Sequence, residues 1–200
     1  MPALVLDAYE RAEREHFTMS CEPEVGALLS VLAAAVPDRG RILEIGTGVG
    51  AGTAWIVSGL TNRMDVEVVT VEMNAETARI AMHASWPPYV RFVIADILTV
   101  FDDLGLFDLV FADGQGGKWF GLERTIATLQ PGGQLIVDDM EPSSWSLPDQ
   151  AEKAQEVRLN LITNNDLVSV ELHASSGMIL ATRLRDDIPT PSDVITSPYG

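Results

Sequence analysis

A chain of 200 residues, 46% hydrophobic and 21% charged, is long enough to bury one sizeable core without disulfides or structural metals. Its 13 basic against 29 acidic residues leave a net charge of −16, which excludes the basic footprint that nucleic acid or an anionic membrane surface requires. The single Cys21 excludes an internal disulfide and a four-cysteine zinc site, and no apolar run reaches the roughly 20 residues of a membrane span. Residues 1–7 become charged too soon for a secretory signal, so a cytoplasmic location is expected.

In chain order, residues 3–16 form an amphipathic helix with Glu10, Arg11, Glu13, Arg14 and Glu15 largely on its polar side. A second helix over 22–36 is stopped by Pro37-Asp38-Arg39-Gly40. From Arg41 the pattern changes to short apolar runs, predicting strands at 41–45, 66–71, 90–94, 107–111 and 134–137. Helices at 52–60, 75–85 and 119–129 lie between them, with a short helical turn after Asp96. Such alternation gives right-handed crossovers and a parallel sheet covered on both faces. After Pro142 and Pro148 a helix over 149–164 is predicted, then strands 167–173 and 177–183 separated by three residues. That gap permits a hairpin but not a parallel crossover, so the sheet ends in an antiparallel pair. One domain over 1–185 is expected, with 186–200, rich in proline, as a flexible tail.

The strongest local signal is Arg41-Ile-Leu-Glu-Ile-Gly-Thr-Gly-Val-Gly-Ala-Gly-Thr53, which places Gly46, Gly48, Gly50 and Gly52 between a strand and a helix. Glycines there let backbone turn tightly against a ligand. Two ligands compete for the loop. Gly46-Thr-Gly48-Val-Gly-Ala51 satisfies a dinucleotide fingerprint, with the pyrophosphate at the helix N-terminus. Glu44 opposes this: a carboxylate aimed into the cleft would repel a pyrophosphate and suit an ammonium or sulfonium. Glu72, ending the second strand, suits the ribose hydroxyls of either ligand. Asp96, after the third strand, suits an adenine amino group or serves as a helix N-cap.

Glu44-Ile-Gly-Thr-Gly-Val-Gly50, Val71-Glu72-Met73 and Ala95-Asp96-Ile97, taken in register over about residues 16–184, resemble the three cofactor motifs of class I S-adenosylmethionine-dependent methyltransferases. The resemblance implies an α/β, Rossmann-like doubly wound seven-stranded sheet of order 3-2-1-4-5-7-6, its last strand antiparallel, with N-terminal helices (residues 1–36) covering the cofactor side. It further implies that Gly46, Thr47, Gly48 and Gly50 take the methionine and ribose portion. Glu72 and Met73 would take the ribose, and Asp96 and Ile97 the adenine; Ser20, Glu44 and Asp113 complete the expected cofactor set.

Asp113 ends the fourth strand and Asp138-Asp139 the fifth. Ligand crevices of open α/β sheets lie beyond the carboxyl ends of strands, so these acids can converge there. A divalent cation would relieve their repulsion, and oxygen ligands suit Mg²⁺, Mn²⁺ or Ca²⁺; as the bland alternative Asp113 bonds the backbone of its own loop and Asp138 and Asp139 are ordinary loop acids. The arrangement resembles the small metal-dependent O-methyltransferases of the catechol and caffeoyl-CoA type, as does residues 18–29, similar to their cofactor-covering helix. By that resemblance Asp113, Asp138 and Asp139 are metal ligands, Asp139 standing in a position the family gives to Asn. Lys118 departs from the family: it follows Asp113 by 118 − 113 = 5 residues rather than about three. It either reaches the site across flexible glycines as a catalytic base, beside Asp113, or decorates the surface.

His16, His83 and His173 are too scattered to form a metal set by spacing, and Trp119 and Trp145 either stack on an aromatic acceptor or pack at the rim. The leading expectation is methyl transfer from S-adenosylmethionine to a hydroxyl of a small aromatic diol, assisted by a divalent cation. Its rivals are a metal-independent O- or N-methyltransferase, an NAD-dependent oxidoreductase and a nucleoside-binding protein without chemistry. No residue names the acceptor, and relatives with this N-terminal arrangement are commonly homodimers.

Overall fold

Residues 1–141 and 149–185 are described in the computed structural model. Two N-terminal helices, α1 (Ala3–Arg14) and α2 (Pro23–Ala35), precede the alternating region. There β1 (Arg41–Ile45), β2 (Glu67–Glu72), β3 (Val90–Ile94), β4 (Phe107–Ala112) and β5 (Leu129–Val137) alternate with helices. These are α3 (Ala51–Leu60), α4 (Ala75–Met82), α5 (Ile97–Leu104), the short turn α6 (Gln115–Lys118) and α7 (Leu122–Ala127). Helix α8 (Gln150–Thr163) leads into the hairpin β6 (Leu167–Leu172) and β7 (Met178–Arg183).

Among the described residues the strands form a seven-stranded sheet of order β3-β2-β1-β4-β5-β7-β6, as the motif register implies. The pairs from β3 to β5 are parallel, while β7 runs antiparallel to both β5 and β6. Strand residues point alternately to the two faces. Ile42, Val68, Leu109, Phe111 and Ile136 pack with α1, α2 and α3 on one face. Leu43, Ile45, Val69, Val110, Leu135 and Val137 pack with α5, α7 and α8 on the other. Central strands buried on both sides explain why their sequences read as unbroken apolar runs.

Three local departures have identifiable causes. The helix expected over 119–129 is shortened to α7 and preceded by the separate turn α6, because Gly117 and Gly121 take positive φ (84° and 79°) and Gly116 is extended. Helix α5 is eight residues long rather than a single turn, with Asp96 capping the N–H of Leu98. β5 begins at Leu129, earlier than Gln134, because the chain bulges at Pro131-Gly132-Gly133 and rejoins β4 at the pair Leu109 and Gln134. The expected tail at 186–200 and the Pro142–Pro148 loop with Trp145 lie outside the described residues.

Candidate active site

Five strand ends open onto one cavity of about 680 Å³, within the range of small-ligand sites. The loop after β1 forms its floor. Gly46 sits at φ +100°, and a Cβ there would lie 2.7 Å from the backbone nitrogen of Gly114, so glycine lets the β1 and β4 loops touch. The N–H of Gly48 donates to Glu72 Oε2 at 3.0 Å, and the N–H of Asn74 donates to Oε1 at 2.9 Å. Glu72 is thereby held at the lip of the cavity beside Met73, which is exposed. Asp96 and Ile97 line the next part of the wall. Both readings of Asp96 are compatible with its position: its Oδ1 accepts from Leu98 N at 3.0 Å as an N-cap, and its side chain borders the cavity.

Glu44 is not where it was expected. It lies on β1 in register with Thr70 and Phe111, and so points to the face covered by α3 rather than into the cleft. It is fully buried, accepts hydrogen bonds from the hydroxyls of Thr53 and Thr70, and does not line the cavity. Burial is the largest influence and pushes its carboxyl up to about 7, against the lowering effect of the two hydroxyls. Gly52 makes the room for it, since a Cβ at that position would stand 2.3 Å from Glu44 Oε1. Glu44 therefore braces the glycine loop from behind, its Oε1 buried beside Gly52 without a hydrogen-bond partner among the described residues. Gly50 likewise works by shape, capping α3 at φ +96° without lining the cavity.

The roof is the connection between α1 and α2, residues 17–22, rather than the helix expected over 18–29, because Glu22 is extended and Pro23 starts α2. The Phe17 ring lies against Gly48, and Tyr9 Oη donates to the Cys21 carbonyl at 2.8 Å. Ser20 Oγ is buried against this cavity without a hydrogen-bond partner among the described residues. An orphaned hydroxyl beside a glycine loop is the kind of group a polar ligand would satisfy. Two contributors escaped sequence reasoning. Arg11, placed on the polar side of α1, is instead 4% exposed and its Nε donates to the Val49 carbonyl at 3.0 Å, fastening α1 to the glycine loop. Ser176 donates to Asp138 Oδ1 at 2.6 Å while its N–H donates to Glu22 Oε2 at 2.8 Å, joining the roof to the end of β5. No spacing rule marks either residue; both depend on long-range contacts.

At the far end of the cavity the structure brings Asp113, Asp138 and Asp139 together with Lys118. The surface reading of Lys118 is overturned: its side chain is 2% exposed and its Nζ lies 2.7 Å from Asp139 Oδ2 and 3.9 Å from Asp113 Oδ1. The ammonium also stands 4.8 Å from the ring centroid of Trp119, which lines the cavity. Burial pushes the Asp113 carboxyl well up, opposed by Lys118 and reinforced by Asp138 and Asp139. Burial likewise pushes Asp138 up to about 6, against the Ser176 hydrogen bond.

These residues do not fit the expected divalent cation. Lys118 Nζ, an obligate donor, already occupies the space between Asp113 and Asp139 that the ion would need. Asp138 Oδ1 accepts from both Ser176 Oγ and, at 2.7 Å, the N–H of Asp139, which takes a left-handed φ of 59°. No group of three or more His, Cys, Asp or Glu among the described residues has metal-holding geometry. His16, His83 and His173 are exposed and lie outside the cavity lining.

A family profile described as a methyltransferase domain matches residues 43–140. A protein of Mycobacterium sp. (strain JLS) named "Putative O-methyltransferase" is 34% identical over 145 residues, which cover 68% of this chain and 63% of that protein, so the match spans less than two thirds of the relative's length. Among solved structures, the O-methyltransferase TomG of Streptomyces achromogenes, in complex with SAM, superposes with a TM-score of 0.75 at 22% identity, over 92% of this chain and 91% of that one. The O-methyltransferase of Bacillus cereus in complex with SAH gives 0.78 at 20% identity, with 92% and 91% covered. No described helix is long and apolar enough to cross a membrane.

Proposed function

We infer that this chain belongs to the class I S-adenosylmethionine-dependent O-methyltransferase family, a reading supported by the methyltransferase profile over residues 43–140 and the 34% identical relative, and that it transfers a methyl group from S-adenosylmethionine to a hydroxyl of a small acceptor. The observation that carries the reading is that one cavity joins two chemically different ends. At one end stand Glu72, Met73, Asp96 and Ile97; at the other, Asp113, Lys118, Asp139 and Trp119. β2 and β5 are three strand spacings apart, about 14 Å, a span that fits a nucleoside at one end and a reacting centre at the other.

When bound, the donor supplies a methyl already activated on a positively charged sulfur. Glu72 accepts the ribose hydroxyls with the outward lone pairs that Gly48 and Asn74 leave, the glycine loop admits close backbone approach, and Ser20 Oγ donates to the donor's carboxylate. The residues at the other end act on the acceptor. Asp113 takes the hydroxyl proton, and burial makes it a stronger base than an exposed carboxylate. The Lys118 ammonium faces the oxygen as negative charge develops on it. The oxygen's electron pair forms the new C–O bond as the C–S bond breaks, and the proton leaves from Asp113 to water. Trp119 offers a flat apolar wall to an aromatic acceptor. A diol is not required by this arrangement, since the reason for two oxygens was chelation by an ion that these side chains do not accommodate.

The test is turnover with methyl-labelled S-adenosylmethionine against a panel of small phenols and alcohols. Label is expected on an acceptor oxygen, and Asp113→Asn is expected to lower the rate by about 100-fold while leaving S-adenosylhomocysteine affinity within about threefold. Asp113→Asn retaining wild-type turnover would remove it as the base, and NAD binding in place of S-adenosylhomocysteine would overturn the whole reading.

A further inference from the structure

The carboxylates at the ends of β4 and β5 face a cation that the chain itself supplies. Three features deliver it. Gly116 is extended and Gly117 left-handed within α6, which turns the backbone so that Lys118 enters the cleft instead of continuing along a helix face. The turn is locked, because Thr125 Oγ1 donates to the Gly117 carbonyl at 2.8 Å and the N–H of Gly117 donates to the Phe120 carbonyl at 2.7 Å. A Cβ on Gly117 would lie 2.8 Å from Ile45 Cδ1, so the turn is also seated on β1. The lysine stem is then packed almost wholly out of solvent, with its head on Asp139 and within reach of Asp113. Asp138 is satisfied separately, by Ser176 and by the backbone of Asp139.

We propose that the Lys118 ammonium is the resident cation of this active site, taking the place of the divalent ion, so that the protein neither binds nor needs one. Lys118 acts by exclusion. Mg²⁺ and Mn²⁺ require several oxygens in near-octahedral array at about 2.1 Å, and an ammonium between two of the three carboxylates is incompatible with that shell. A fixed ammonium also meets an acceptor as a point charge, through one oxygen. The reactive acceptors are therefore those with a single acidic hydroxyl as well as those with two. This inference rests on the methyl-transfer reading, which places the acceptor against Lys118.

The experiment is titration of the chelator-treated full chain with Mn²⁺, followed by electron paramagnetic resonance of the free ion, on wild type and Lys118→Ala. S-adenosylhomocysteine titrations run in parallel. Wild type is expected to leave Mn²⁺ free up to millimolar concentration. Lys118→Ala, which takes the ammonium away from Asp113 and Asp139, is expected to bind Mn²⁺ at least tenfold more tightly. Lys118→Gln, which keeps the buried stem, carries the same comparison should the alanine variant fail to fold. Stoichiometric Mn²⁺ binding by wild type overturns the proposal, and so does equally weak binding by wild type and variant, because the lysine would then not be what excludes the ion. Loss of S-adenosylhomocysteine binding by wild type would instead defeat the methyl-transfer reading, leaving the metal result to stand by itself.

Discussion

Glu44 illustrates how a motif can be read correctly while the direction of one of its side chains is not. The alternation of a β-strand decides its side, and on β1 it shares a face with Thr70 and Phe111 beneath α3. Its folded-state value near 7 lies above the ordinary 4.5, so the folded protein keeps a proton that the unfolded chain releases. The associated stability is fully present below about pH 4.5 and lost as pH rises through about 7, a difference on the order of 3 kcal/mol. Glu44→Gln, which keeps the shape without titrating, is expected to flatten that part of the profile in urea unfolding at pH 5 and pH 8. Parallel pH profiles for wild type and variant would show that Glu44 is ionised in the fold. Lys118 gives the opposite lesson. Its odd spacing from Asp113 was legible in the sequence, but its direction was not, because that depends on the backbone angles of two glycines in a four-residue turn.

At the scale of elements, the strand ends could be located and what closes them could not. Glu72, Asp96, Asp113 and Asp138 all stand at or just after the C-terminal ends of apolar runs, ends that the sequence places within a residue, and all four line the cavity. The roof was half legible: α2 starts at Pro23, as the helix read over 22–36 has it, whereas the resemblance of residues 18–29 to a covering helix did not show that residues 17–22 form a loop. Its fastening relies on Tyr9, Arg11 and Ser176, which are distant in sequence from what they touch. Arg11→Ala removes the donor to Val49 and a buried stem from behind the glycine loop. The expected result is a loss of about 2 kcal/mol in stability with weaker binding of S-adenosylhomocysteine by calorimetry. Unchanged affinity in a destabilised variant would confine Arg11 to a role in folding.

Across the whole molecule, a parallel sheet covered on both faces and closed by a hairpin was readable because buried parallel strands leave apolar runs and a three-residue gap allows one topology. The bulge in β5 and the division between α6 and α7 were hidden, since a proline or glycine in sequence does not say whether the chain ends an element or bends through it. The net charge of −16 also has a functional consequence. The donor carries a net positive charge that its product lacks, so affinity for S-adenosylmethionine is expected to fall more steeply with salt than affinity for S-adenosylhomocysteine. Equal salt slopes for the two ligands would mean that the protein's field plays no part in donor selection.

Glu72 is expected to hold a nucleoside at the opposite end of the cleft from Asp113 and Lys118. Calorimetric titration of S-adenosylhomocysteine into wild type and Glu72→Ala reads this directly. One site per chain is predicted, weakened at least tenfold, about 1.4 kcal/mol, by the substitution. Wild-type affinity in a folded Glu72→Ala variant would contradict it.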